Sequence, residues 1–407
     1  MSQVPILQQR RRDLIVVAVL SVLALLAIIV AWVSAPIRHT HFNAYVEQVA
    51  STSPPEAIPS QATAIWQAGA VPGTVRPVDF SNQVLTTDGE EIVARASDGE
   101  PVWSYERPEE LCSAMSVWSK ATLVFASGRG CGEVVTFNGA KPGYAATRAA
   151  HASEHVIPVY SLDRAGIVAH DRVELWREDM VRTVEYGDVP TPHESDQQPH
   201  PGCTIDSALT RKENLAVIER CDDTYWLRIM DTTPEDSRVP EITAEVELGT
   251  TATHVVAIGQ QRVKVLTEED SPRMITYNLD GSEYQVAEVP AANWEFLHDD
   301  AANVFFPRTG DLPHHITFYD GVRLYLFDPA SLEIVGVLDD AIGTGVSIAG
   351  QTLYPTARGW SAYDSDAHES RAVVDINRED VDEAALGLIG NIVVEQAGDT
   401  INAYEVS

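Results

Sequence analysis

Residues Glu91–Tyr105, EIVARASDGEPVWSY, read as strand, tight turn, strand. Ile92 and Val93 open an apolar strand. Asp98-Gly99 supplies a pair that tolerates positive φ, as two-residue hairpin turns demand. Val102, Trp103 and Tyr105 resume with residues that suit a pleated, half-buried surface. The same succession recurs along the chain, with short strands such as Ala121–Ala126, Glu133–Phe137, Val173–Trp176, Asn214–Ile218, Met274–Asn278, Arg323–Phe327 and Asn391–Glu395. Asp88-Gly89, Asn138-Gly139, Asp280-Gly281 and Asp320-Gly321 punctuate them. After Thr63 no long helical period interrupts the pattern.

The second strands of the units are marked by Val93, Val135, Val173, Tyr225, Ile275, Leu324, Ser361 and Ile401. Their seven intervals, between 37 and 52 residues, average 44. A period of about 40–50 residues with four short strands is the sequence mark of a propeller blade. The expected fold class is therefore all-β, a β-propeller over residues 62–407. Eight markers predict eight blades, and the uneven intervals leave seven as the alternative. The last copy has room for only three strands, so the strand near Ala62–Ala68 is expected to supply the fourth and remove two open edges.

Ahead of the repeats, Leu14–Val33 is an uncharged apolar run of twenty residues, a helix of about 30 Å and long enough to span a bilayer. Arg10, Arg11 and Arg12 precede it. The positive-inside rule predicts a cytoplasmic N-terminus (1–13), a transmembrane helix (14–33) and an extracytoplasmic remainder in the cell membrane, with Trp32 at the outer interface. A signal peptide is the competing reading, but its apolar core would be shorter, and Val33-Ser34-Ala35 is followed by Pro36. Residues 34–61, broken by Pro36, Pro54, Pro55 and Pro59, read as a tether with a short helix expected over His41–Val49. Fully extended, the tether would reach on the order of 90 Å.

The 407-residue chain carries a net charge of −32. Three arginines and one aspartate in the first 13 residues leave −34 on the rest, which repels phosphate backbones and excludes nucleic acid as an expected partner. Cys112 and Cys131 are 19 apart, Cys203 and Cys221 are 18 apart, and the pairs are offset by 91 residues, close to two repeat periods. In an oxidising compartment this predicts the disulfides Cys112–Cys131 and Cys203–Cys221, each joining adjacent strands of one blade. A zinc site would want ligands two to four residues apart, which these are not.

The stretch from Glu91 to Tyr105, with weaker copies at Glu133–Tyr144, Arg273–Val286 and Leu324–Leu338, resembles the repeat of the PQQ-like (BamB-like) β-propeller family. Asp98 and Gly99 stand at its turn and Trp103 at its aromatic position. The layout of anchor followed by acidic propeller resembles actinobacterial single-pass membrane proteins with an extracytoplasmic propeller. The resemblance implies a propeller in which the Trp packs between blades. The family holds both quinoprotein dehydrogenases and non-enzymatic scaffolds. A dehydrogenase would want a cation site, a cofactor sandwich and often a vicinal disulfide, and no two cysteines here are adjacent. The expectation is no enzyme, no cofactor and no metal.

His151 and His155, with Glu154 between them, have metal-ligand spacing on a helix but stand before a strand, where solvated histidines are expected. His193 and His200 flank a polar loop with Glu194 and Asp196, and His314-His315 form a third group. Glu379, Asp380, Asp382 and Glu383, preceded by Arg378, are the densest carboxylates and are expected as a solvated loop rather than a Ca²⁺ or acid–base site. Trp103, Trp118, Trp176, Trp226, Trp294 and Trp360 are expected to pack between blades rather than stack on sugars. The expected function is a membrane-anchored extracytoplasmic scaffold for other cell-envelope or membrane proteins. The alternative is a ligand- or carbohydrate-binding sensor using the central funnel.

Overall fold

The computed structural model describes residues 10–190, 192, 195, 197–378 and 381–407. After helix α1 (Arg11–Val33), nearly every regular element is a strand, and most are antiparallel to their sequence neighbours. Six sheets contain four sequential strands each, over residues 111–149, 157–187, 204–249, 253–288, 308–338 and 346–375. A nine-stranded sheet joins the two ends of the domain. Its first half contains β1 (His41–Ala44), β3 (Asp79–Phe80), β4 (Gln83–Asp88), β5 (Glu91–Ala96) and β6 (Pro101–Glu106); its second half contains β2 (Ala62–Gly69) and the strands Ala384–Ile389, Ile392–Ala397 and Thr400–Val406. The halves touch at one pair, Gly69 with Thr87.

The closing strand expected from the short last repeat is present. β2 pairs antiparallel with Thr400–Val406 from Ala62↔Val406 to Gly69↔Thr400. The seam to the first half is tied by the Trp66 indole, which donates to the Ser97 carbonyl at 3.0 Å. Gly99 makes this approach possible: its φ is +84°, and a Cβ there would lie 2.8 Å from the Trp66 ring.

Buried apolar side chains among the described residues form eight clusters, seven between consecutive sheets and one between the two halves of the nine-stranded sheet. The cluster around Trp103 and Phe137 joins the first strands to the 111–149 sheet. The one around Met115 and Trp176 joins that sheet to the next. Others follow in order, until Trp360 and Val393 lead into the last strands and Val84 and Val394 close back onto the first. The core is therefore a ring of intersheet seams. Each seam is filled by alternate residues of strands whose two faces are both covered, which is why strands such as Arg172–Trp176 are buried throughout.

The segment expected as a free tether is docked over most of its length. His41–Ala44 is a strand on the outer edge of β6, from His41↔Glu106 to Ala44↔Trp103, not the start of a short helix. Phe42 stacks on Phe137 at 5.3 Å between centroids and lies 6.0 Å from Trp103. Burial of an aromatic in that cluster outweighs the weak helical tendency of HFNA. The chain then crosses one end of the ring. The Val49 N–H donates to the Ala140 carbonyl, Asn82 donates to Ala50 and Thr52, and Ser60 and Gln61 bond Ser407. Gly390, at φ +62°, admits Thr52 where a Cβ would collide with its hydroxyl. Only Ser34–Thr40, seven residues with a 3₁₀ turn at Pro36–His39, separate α1 from the docked strand.

Both disulfides are present, Cys112–Cys131 and Cys203–Cys221. The second joins adjacent strands, because Thr204, next to Cys203, faces Arg220. The first does not. Cys112 and Cys131 lie on strands separated by Lys120–Ser127. Cys112 is the unpaired residue at a register shift between Leu111 and Ser113, and such a bulge re-aims its side chain past the intervening strand.

Candidate binding site in the central channel

The first strand of each sheet, or the segment leading into it, lines a cavity on the ring axis. Residues 73–76, 78, 114, 116, 157–162, 208–211, 257–258, 306–311 and 316, with Thr344 and Glu383, enclose about 230 Å³. Small and branched side chains, including Val78, Ile157, Val159, Ala257 and Ile316, form apolar walls. Three arginines interrupt them. Arg211 Nη2 meets Asp311 Oδ1 at 3.0 Å. Arg308 Nε lies 3.5 Å from Glu383 Oε1, and its Nη1 donates to the Phe306 carbonyl at 3.3 Å. Arg76 donates from Nη1 to the Thr309 carbonyl at 3.2 Å, and its guanidinium lies 5.7 Å from the Tyr160 ring centroid.

Burial sets the electrostatics here. It pushes the Glu383 carboxyl up, against the pull of Arg308, and pulls the Arg308 guanidinium down, against Glu383. Asp311 is likewise pushed up by burial and held back by Arg211 and Arg76. Asp79 is pushed up by burial, opposed by Arg76 and by the Leu388 N–H, which donates to its Oδ2 at 3.3 Å. The channel thus holds two arginine–carboxylate pairs and one further arginine.

Of the residues singled out in the sequence, only Glu383 enters this cavity. It leaves the expected solvated acidic loop because Arg308 receives it; Asp382 is exposed, and Glu379 and Asp380 lie outside the described residues. Arg378 turns to Glu395, with Nε 2.8 Å from Oε1. Glu395 also accepts from the Trp360 indole at 2.7 Å. His151, Glu154 and His155 are exposed, in an irregular connection rather than a helix. His193, Glu194 and Asp196 lie outside the described residues. His200 Nε2 is 3.2 Å from Glu245 Oε1. His314 is exposed, whereas His315 is buried between the Thr352 and Ser365 hydroxyls. The one close group of His, Cys, Asp and Glu ligand atoms among the described residues, Cys203, Glu219 and Cys221, has its sulfurs tied in a disulfide.

Trp103, Trp176 and Trp360 are fully buried between sheets. Trp226 lies half-buried under Arg228, 4.5 Å from its centroid. Trp118 occupies a turn at φ +56°, and Trp294 opens a four-residue helix and faces His254 at 5.8 Å. The arginines Arg76, Arg211 and Arg308 were not singled out from the sequence. One signal was there: Arg76–Asp79 and Arg308–Asp311 repeat an Arg-x-x-Asp spacing at the entry to the innermost strands of two units, where apolar or small residues otherwise prevail.

A different buried histidine carries the strongest charge environment. His254, 6% exposed, places Nδ1 2.7 Å from Asp206 and Nε2 3.1 Å from Glu268. It stacks on Phe305 at 4.2 Å. Burial pulls its imidazole down, but Asp206 and then Glu268 outweigh it and hold the group at about 9.

No protein-family model matches the sequence, and no curated protein matches it. Solved structures match over almost the whole domain. Sqt1 of Saccharomyces cerevisiae aligns at a TM-score of 0.52 and 10% identity, over 88% of this chain and all of that one. The computationally designed Ika8 protein aligns at 0.51 and 10% identity, over 89% and 100%. BamB from Moraxella catarrhalis aligns at 0.49 and 10% identity, over 84% and 99%. The fold is a β-propeller. At this identity the likeness concerns architecture alone.

Proposed function

We propose that this chain is a membrane-anchored, extracytoplasmic propeller of eight blades and PQQ-like repeat, acting as a non-enzymatic scaffold for other cell-envelope or membrane proteins. The observation that carries the reading is the seven-residue link between an apolar helix long enough to cross a membrane and a strand built into the ring. That link allows about 20 Å of reach, so the propeller is held against the surface where membrane partners lie. Eight apolar seams, counting the one between the two halves of the nine-stranded sheet, support the blade number, and two disulfides support an oxidising compartment. A rigid ring with loops at both ends suits partner binding.

The test is affinity purification of the full chain from detergent-solubilised membranes, followed by size-exclusion chromatography. Stoichiometric co-elution of another membrane or envelope protein supports the scaffold. Isolation of the chain alone after in-cell cross-linking would refute it. The axial cavity favours the second reading, a sensor for a small ligand.

A further inference from the structure

We propose that the axial cavity binds a small organic monocarboxylate, with its carboxylate on Arg76 and its apolar body against the cavity wall. This goes beyond the scaffold reading and does not depend on it. Arg211 and Arg308 each have a carboxylate at ion-pair distance, Asp311 and Glu383. Arg76 has none: among the described residues its one hydrogen bond is from Nη1 to the Thr309 carbonyl. Nε and Nη2 hold no bond among the described residues, and Arg76 is one of the residues that line the cavity. Asp79, the nearest acid in sequence, spends one oxygen on the Leu388 N–H.

A guanidinium with two adjacent donors unclaimed presents the fork that a carboxylate accepts with both oxygens. Tyr160, Asp79 and Asp311 stabilise the Arg76 charge against its burial without hydrogen-bonding to it, so an anion on the open fork adds two charge-assisted hydrogen bonds that those groups do not make. Thr309 fixes one side of the fork, so little freedom is lost when the other side is occupied.

The rest of the cavity selects within the anions. Asp79 and Asp311 both act on Arg76, and their charge opposes a second negative charge on a ligand more than it opposes the first. That favours a carboxylate over a phosphate. The volume of about 230 Å³ falls below the roughly 300 Å³ at which drug-sized ligands begin, and it would hold about seven waters at ~30 Å³ each. Val78, Ile157, Val159 and Ile316 offer hydrocarbon contact, and the Tyr160 ring lies beside the guanidinium. A short aliphatic or aromatic acid meets all of these conditions.

The test is calorimetric titration of the full chain in detergent micelles with acetate, butyrate, benzoate and inorganic phosphate at constant ionic strength. Saturable binding is expected, tighter for butyrate and benzoate than for acetate or phosphate. Arg76→Met should weaken it by roughly 10- to 100-fold, the loss of a charge-assisted hydrogen-bonded pair. Arg76→Lys keeps the charge without the fork and covers the case in which Arg76→Met fails to fold; it should weaken binding about tenfold. Arg177→Ala, an exposed residue, should change nothing. Absence of saturation by any acid up to about 10 mM, or equal affinity in wild type and both Arg76 variants, overturns the site. Phosphate binding tighter than butyrate overturns the monocarboxylate assignment.

Discussion

At the scale of single residues, two buried bases behave oppositely, and pH separates them. His254 is held at about 9, above its ordinary value near 6.5. Its contribution to stability is complete below pH 6.5 and is lost as pH rises toward 9, because the unfolded chain releases the proton first. Wild type should therefore lose about 2 kcal/mol between pH 6.5 and 8, whereas His254→Gln should be less stable at pH 6 and nearly flat over that window. Urea denaturation at a series of pH values measures both. Lys264 is 1% exposed and donates to the Thr276 hydroxyl at 2.6 Å. Burial lowers its amine to about 8. Its charge is a penalty below pH 8 that is relieved as pH rises toward 10.5. Lys264→Met should raise stability at pH 7 by about 1–3 kcal/mol and remove the rise in stability above pH 8. A destabilised variant would show instead that the Thr276 bond outweighs the desolvation of the amine.

At the scale of elements, the docked strand β1 makes the clearest forecast. A chain beginning at His41 should unfold at the same temperature as the full protein in thermal denaturation. One beginning at Gln61 loses Phe42 from the aromatic seam and uncovers the edge of β6. It should be less stable by several kcal/mol and more prone to associate through that edge. Phe42→Ala alone should cost about 2 kcal/mol, since the ring is half-buried. The strand pattern was legible because hairpin turns announce themselves. Asp98-Gly99 must be a turn, and PVWSY after it must return along EIVARA. β1 was not legible, because HFNA alternates over only four residues, too short a run to settle strand against helix, and its strand character is imposed by β6 and Phe137. The channel was legible only in part. Glu383 stood out in an acidic run, but a lone Arg76 in RPVD is distinguished only once the first strands of the sheets are brought to one axis.

At the scale of the whole molecule, the ring is only as strong as its seam. Two glycines with positive φ separate strain from closure. Gly89, at φ +66°, has open space where a Cβ would go, whereas Gly99 has the Trp66 ring. Gly89→Ala should cost about 1–2 kcal/mol for its left-handed backbone. Gly99→Ala should cost that and a further 1–3 kcal/mol, roughly, for the clash at the closing strand. Equal effects in thermal unfolding would show that the Trp66 contact yields easily. The seven residues between α1 and β1 also have a kinetic consequence. If α1 spans a membrane as proposed, a domain leashed within about 20 Å of the bilayer would search a thin slab rather than a volume. Its meetings with the proposed membrane partners would become encounters in two dimensions, at an effective concentration set by the leash and not by expression alone. Lengthening that link by a flexible insert, with every contact of the ring intact, should dilute the propeller away from its neighbours.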